Sequence, residues 1–482
     1  MSINRRSVFS SFIWKFLERS SVQVVSFVVT IVLARLLTPE DYGSIALVLV
    51  FTNLAAVFVE GGLNSALIQK KDCDAVDYST ILYFSLFVSF IAYLILFFSA
   101  TALANYYDRP ELCPVMRVIG VSLFFNAVNS VQNAYLSKNL LFKLLFKSSF
   151  LGVCMSAFVG ISMAYLGCGV WALVAQHVVS SFSIMMVMWF TVKWRPVLSF
   201  SGERFKVLFN FGWKIFISNF TIALFDNIRS LIIGKMYTPS LLAFFDKGRQ
   251  FPSLIMNNIN SSIQSVMFPV LSIEQDNQEA VKSMMRRSTK VSSYVIFPLL
   301  VGMIVIAKPM IILLMTEKWI DAVPFIQIFC VAFMLMPIQN VNLVAIKALG
   351  YSDISLKLEL YKKGVGTIIL IISIFLGIYA IAWGIVVYNF ICIIINLYPC
   401  RKLLNYSYRE QILDVLPSLA ISLVMGVAIY GFSCFTLNSI TYLSLEIICG
   451  AIVYLFLSKI FKLEPFLYLL ELSISEKERR GK

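Results

Sequence analysis

The chain has 482 residues, of which 59% are hydrophobic and only 14% charged, with a net charge of +14 and a mean hydropathy of +0.83. Soluble domains average about 25% charged and 45–50% apolar residues, which excludes a water-soluble enzyme, a disordered chain and a secreted disulfide scaffold. At about 20 residues per span, the length suits roughly fourteen membrane helices and leaves almost nothing for a water-soluble domain.

Hydropathy and loop punctuation predict an all-α polytopic membrane protein with spans over 10–36, 42–63, 78–104, 112–136, 140–166, 169–192, 208–236, 240–270, 288–315, 321–348, 355–377, 380–400, 411–436 and 439–460. The run after Arg5-Arg6 is too long for a cleavable signal peptide. Span 1 carries Arg19, Gln23, Ser26 and Thr30 at a 4-3-4 spacing, and span 2 aligns Asn53, Glu60 and Asn64. The inner loop that follows holds Asp72-Cys73-Asp74, a DxD pattern of nucleotide-sugar transferases; among so many other charges it reads as a solvated loop. Arg117 lies within span 4, which aligns Ser122, Asn126, Asn129, Ser130, Asn133 and Ser137. His177, the only histidine, lies mid-span 6 and reads as structural. Span 7 places Lys214, Ser218, Thr221 and Arg229 within about 80°, with Asp226 three residues before Arg229.

Span 8 is the most informative. With Asp246 at zero and about 100° per residue, Arg249, Gln250, Ser253, Asn257, Asn260, Ser261 and Gln264 all fall within about 60° of it. This stripe runs roughly 27 Å at about 1.5 Å per residue, nearly the hydrocarbon thickness. Lys247 also falls within the span, and Pro252 is placed to kink it.

With the N-terminus inside, thirty of the forty Lys and Arg residues fall on inner loops and tails, five fall outside, and Arg117, Lys214, Arg229, Lys247 and Arg249 lie within spans. That asymmetry places both termini in the cytoplasm and requires an even number of spans. The positive charge is thereby topological, and no nucleic-acid partner is expected. The nine cysteines show no CxxC and no ligand spacing, so neither a metal site nor a disulfide framework is expected. No P-loop, GxSxG or HExxH occurs, so no catalytic residue is assigned.

A repeat is visible at an offset of 200. Ala34-Arg35-Leu36-Leu37-Thr38-Pro39 returns as Gly234-Lys235-Met236-Tyr237-Thr238-Pro239, and Trp14-Lys15 as Trp213-Lys214. Six spans per copy preserve orientation, which makes this a parallel repeat. The expected organisation is an N-terminal lobe over 1–200, a second over 201–405, and spans 13 and 14 with a tail over 406–482.

A charge at mid-bilayer costs at least about 2.5–3.5 kcal/mol. Two readings compete for the polar stripes: hydrogen-bonding glue in a dry bundle, or a water-filled cavity. Eight continuous polar positions on span 8 are more than glue requires and favour the cavity. Its in-span charges, five basic against Glu60, Asp226 and Asp246, favour an anion with a large polar headgroup, with guanidinium and ammonium groups to hold phosphate. The three acids are the candidates for coupling to H+ or Na+; no other cofactor is expected.

Trp14-Lys15-Phe16-Leu17-Glu18-Arg19, Leu33-Ala34-Arg35-Leu36-Leu37-Thr38-Pro39-Glu40-Asp41-Tyr42-Gly43, Gly61-Gly62-Leu63, Leu67-Ile68-Gln69-Lys70-Lys71 and Gly169-Val170-Trp171-Ala172-Leu173 resemble the bacterial polysaccharide flippases. These are the Wzx-type transporters of the multidrug/oligosaccharidyl-lipid/polysaccharide exporter superfamily. The resemblance covers the full length and implies fourteen helices, two six-helix lobes and a central cavity built largely from spans 1, 2, 7 and 8. It implies that an undecaprenyl-diphosphate-linked oligosaccharide is flipped to the periplasmic face of the inner membrane by alternating access. Arg19, Lys214, Arg229, Lys247 and Arg249 are the matching diphosphate candidates; Gln23, Asn53, Arg117, Gln250, Asn257 and Asn260 are the polar positions expected to join them. Membrane lipids and the pathway's polymerase and chain-length proteins are the expected partners. The second repeat departs from the family, with Thr238-Pro239-Ser240-Leu241-Leu242 where relatives carry a Gly-containing turn. The rival functions are an ion-coupled drug or metabolite antiporter, which should show an acidic cavity, and a multispan polymerase, which needs a loop domain that this chain lacks.

Overall fold

A computed structural model describes residues 5–433 and 440–471. Every regular element among them is helical. The chain divides into two compact units between Ala243 and Phe244.

The first unit contains α1 (Arg5–Leu36), α2 (Pro39–Glu60), α3 (Leu63–Gln69), α4 (Ala75–Tyr106), α5 (Leu112–Gly120), α6 (Ser122–Lys138), α7 (Phe142–Tyr165), α8 (Val170–Thr191) and α9 (Gly202–Met236). Helix α7 packs on α1 and α8, α6 on α3, α4 and α8, and α9 on α2, α3 and α4. The α1–α2 turn is set locally. Asp41 N donates to Thr38 Oγ1 at 3.3 Å, Thr38 N donates to Asp41 Oδ2 at 3.0 Å, and Pro39 sits where a missing N–H costs nothing. In the second copy Leu241 N donates to Thr238 Oγ1 at 3.3 Å, but Leu241 stands where Asp41 stands in the first, so the reciprocal bond is absent.

The second unit contains most of α10 (Pro239–Ile273), then α11 (Gln278–Met315), α12 (Val323–Met334), α13 (Met336–Ala348), α14 (Ser352–Ile374), α15 (Ile378–Leu404), α16 (Tyr408–Ser433) and α17 (Ile440–Ile460). Helix α11 packs on α12, α13, α16 and α17, and α15 on α12, α13 and α14. The apolar side of α10 rests on α12 through Phe245, whose ring lies 5.1 Å from Phe329 and 5.9 Å from Phe325. Further along, Met267 and Leu271 enter a core with Met285 and Val341.

Among the described residues each of the fourteen expected spans falls on helix; 434–436 of the thirteenth and 439 of the fourteenth lie outside the described residues. Spans 4 and 10 are each split, at Val121 and Leu335; Pro337 explains the second break, since it cannot continue the preceding helix's hydrogen bonds. Residues 64–69, expected in a loop, belong to α3, and α9 and α11 start earlier than expected, at Ser201 and Asn277 caps. Among the described residues twelve helical segments, with α2–α3, α5–α6 and α12–α13 each counted as one, are long and apolar enough to cross a bilayer. The two spans that fall short are α10, which carries the polar stripe, and α14, which holds Lys357, Glu359, Lys362 and Lys363. Large apolar side chains such as Phe98, Phe158 and Val427 lie exposed along the helices, as a lipid-facing surface requires. The protein is a multi-pass membrane protein. The division after Ala243 follows packing, whereas the repeat boundary near 200 follows likeness between segments.

Candidate functional site

In the second unit, most of the polar stripe of α10 is accessible, while the Asn260 amide oxygen is buried without a hydrogen-bond partner among the described residues. Asp246, Arg249, Gln250, Ser253, Asn260 and Ser261 are half-buried, Asn257 and Gln264 are exposed, and none of the eight is buried. Off the stripe, Phe245, Phe251 and Met256 are buried. Two hydroxyls are satisfied within the helix: Ser253 Oγ donates to Gln250 O at 2.8 Å and Ser261 Oγ to Asn258 O at 3.0 Å. Lys247 sits apart from the stripe. It is buried, and its Nζ donates to Gln250 Oε1 at 3.0 Å, which holds that amide in place.

In the first unit, Arg19 is exposed and Gln23 half-buried on α1. Asn53 and Glu60 are exposed on α2; Lys214 and Asp226 are exposed and Arg229 half-buried on α9. Helices α2 and α9 are brought together by Phe58, whose ring lies 5.1 Å from Phe216 and 5.0 Å from Phe220. Arg117 has local partners on α4. Its guanidinium lies 4.4 Å from the Phe97 ring and donates to Phe97 O at 3.3 Å and Thr101 Oγ1 at 3.1 Å. Lys15, next to the candidate Arg19, pairs with Glu18 at 2.9 Å.

The Asp72-Cys73-Asp74 segment has a structural job. Asp74 Oδ1 caps α4 by accepting from Val76 N and Asp77 N at 3.0 Å, and Arg204 at the start of α9 bonds the same carboxylate. That Arg204 hydrogen bond, with the Asp77 backbone contact behind it, holds the Asp74 carboxyl below its ordinary range. Asp77 is buried and receives Lys70 Nζ at 2.6 Å.

Sequence reasoning missed a second cluster of this kind. Asp414 on α16 is buried and accepts from Arg286 Nε at 2.9 Å and Nη2 at 2.8 Å, and from Tyr406 OH at 2.7 Å. Burial and that hydrogen bond push the Tyr406 hydroxyl above its usual range. Lys282 pairs with Glu410 at 3.0 Å and Lys290 with Glu464 at 2.5 Å. The available signal was acidic residues set among the basic inner loops. Among the described residues no group of three His, Cys, Asp or Glu side chains could hold a metal.

Residues 32–324 match the family described as "Polysaccharide biosynthesis protein". The chain belongs to that family. This polysaccharide biosynthesis protein is 22% identical over 465 residues to the teichuronic acid biosynthesis protein TuaB of Bacillus subtilis, covering 94% of this chain and 95% of that one. It is 22% identical over 421 residues to the lipopolysaccharide biosynthesis protein WzxC of Escherichia coli, covering 83% and 84%. Its fold resembles the inward closed conformation of the lipid II flippase MurJ, with a TM-score of 0.74 at 16% identity over 93% of this chain and 98% of that one.

Proposed function

We propose that the protein translocates an undecaprenyl-diphosphate-linked oligosaccharide from the cytoplasmic to the periplasmic leaflet of a bacterial inner membrane, with both termini in the cytoplasm. The observation that carries this reading is the accessible polar stripe of α10, from Asp246 to Gln264. A glycan stripped of water loses kcal/mol for each unreplaced hydroxyl contact, and its diphosphate far more. Amides and hydroxyls along one helix face substitute for those waters. Arg249 on α10, and separately Arg19, Lys214 and Arg229 on α1 and α9, are the cations that would meet the diphosphate in turn as it moves. The membership of the polysaccharide biosynthesis family, and relatives named for teichuronic acid and lipopolysaccharide synthesis, support the substrate class.

The headgroup moves through a cationic cavity by alternating access. With the cytoplasm negative, outward movement of an anion gains about 2.3 kcal/mol per charge per 100 mV, and Glu60, Asp226 and Asp246 are the groups available to couple H+ or Na+. The test is reconstitution. Vesicles containing the protein should expose a labelled lipid-linked oligosaccharide to an outside glycosidase faster than empty vesicles. Equal rates, together with proton- or sodium-driven drug uptake, would assign the protein as an antiporter.

A further inference from the structure

Beside the stripe, within the second unit, α10 and α11 form an open groove of about 580 Å3 lined mostly by apolar side chains, among them Ile259, Ile263, Met267 and Val291, with Asn258, Ser288 and Ser292 also on its wall. On the helical wheel that places Asp246 at zero, Ile259 and Ile263 stand at about −140° and −100°, next to Asn260 at about −40°. The apolar wall therefore flanks the polar stripe on the same helix. At the rim, Arg287 and Tyr468 meet, the guanidinium 4.0 Å from the ring. Arg287 differs from its neighbours. Lys282 has Glu410, Arg286 has Asp414, and Lys290 has Asp414 and Glu464. Arg287 is exposed and has no carboxylate among the described residues.

We infer that this groove takes the leading part of the prenyl chain of the lipid-linked substrate, with Arg287 holding the diphosphate where chain and glycan join. An apolar cavity with a cation at its mouth is complementary to an amphiphilic anion, and a guanidinium binds phosphate in a fork. The adjoining stripe decides between amphiphiles. A phospholipid has no headgroup long enough to use a polar track of that length, whereas a lipid-linked oligosaccharide spans tail groove, cation and stripe in sequence. Tyr468, on the helical turn over 464–471 that Glu464 pins to Lys290, covers the rim and backs the guanidinium. The inference rests on the proposed function and adds the site for the lipid part.

The test uses the purified full chain and a short prenyl diphosphate carrying a benzophenone at its tail. Adducts should map to α10 between Ile259 and Leu271 and to α11 between Met284 and Val295. Unlabelled prenyl diphosphate should compete, and phosphatidylglycerol at the same concentration should not. Arg287→Ala should weaken labelling about tenfold or more, the loss of one charge-assisted hydrogen bond, with Arg287→Lys restoring part of it. Adducts elsewhere, or equal competition by phosphatidylglycerol, would overturn the assignment. Val291→Trp, which fills the groove, should abolish labelling and slow flipping; a well-folded Val291→Trp protein that flips normally removes the groove and leaves the flippase intact. Correct labelling by a wild-type protein that flips nothing removes the flippase and leaves the groove.

Discussion

Gly43 lies against the backbone of Pro239: a Cβ at residue 43 would fall 1.9 Å from the Pro239 carbonyl oxygen. The two Thr-Pro turns of the repeat thus meet in space, within the first unit. Gly43→Ala cannot be accommodated by a side-chain shift, since the obstacle is backbone. Overpacking of this kind costs about 1–3 kcal/mol and at times more. Thermal unfolding in detergent should show a clearly lowered transition for Gly43→Ala, and an unchanged transition would mean that the turns do not pack as described.

The second close approach is at Gly62, which has φ +68° and whose added Cβ would lie 2.4 Å from Gly212 O on α9. Gly62→Ala should therefore combine a strained backbone with a clash, and yield less folded protein than Gly202→Ala, where open space surrounds the position. Comparing monodisperse yield from size-exclusion profiles of the two variants checks this.

Asp414→Asn removes the charge that Arg286, Lys290 and Tyr406 share. Hydrogen bonds to charged groups contribute about 1.5–3 kcal/mol each when buried; half-exposed Arg286 keeps the loss at the lower end. The variant should unfold at lower temperature while still inserting in the membrane. Protease sensitivity of the α15–α16 connection, read by mass spectrometry, should rise with it.

Arg204 and Asp74 give a pH-dependent contact. The folded carboxyl is held below its ordinary value of about 3.9 by Arg204. Its stabilisation is therefore complete above that value and is lost as pH falls through the folded one. The gap in melting temperature between wild type and Arg204→Gln should be present at neutral pH and shrink below about pH 4. A gap that widens on acidification would contradict the assignment of the pair.

Arg249→Ala should cut outward flipping about tenfold, the value of one lost charge-assisted bond to phosphate, without changing insertion. Arg249→Lys should recover part of it, because an ammonium keeps the charge but not the fork. Flipping by Arg249→Ala at the wild-type rate would take this side chain off the headgroup path.

Much of the fold could be read from the chain. The placement of the helical spans and the Thr-Pro turns follows from hydropathy and from capping chemistry that acts within four residues. The stripe on α10 could be read because helical periodicity alone decides which residues share a face. Other features depend on residues far apart in sequence. Nothing near Asp414 announces that Arg286, 128 positions earlier, will bind it. Nothing at Arg287 announces Tyr468. The depth of Arg117 in its span does not announce the Phe97 ring and carbonyl on α4 that it meets. Lys247 shares its charge with Arg249 but not its face: one residue after Asp246, it stands about 100° off the stripe and is buried.

The most direct test of the account is aqueous access to α10. Single cysteines at Ser253, Asn257 and Asn260, in a background lacking the native ones, should react with a membrane-impermeant maleimide, and added lipid-linked oligosaccharide should slow that reaction at all three. If all three stay unreactive in inside-out and right-side-out vesicles alike, the stripe is dry and no sugar headgroup passes along it.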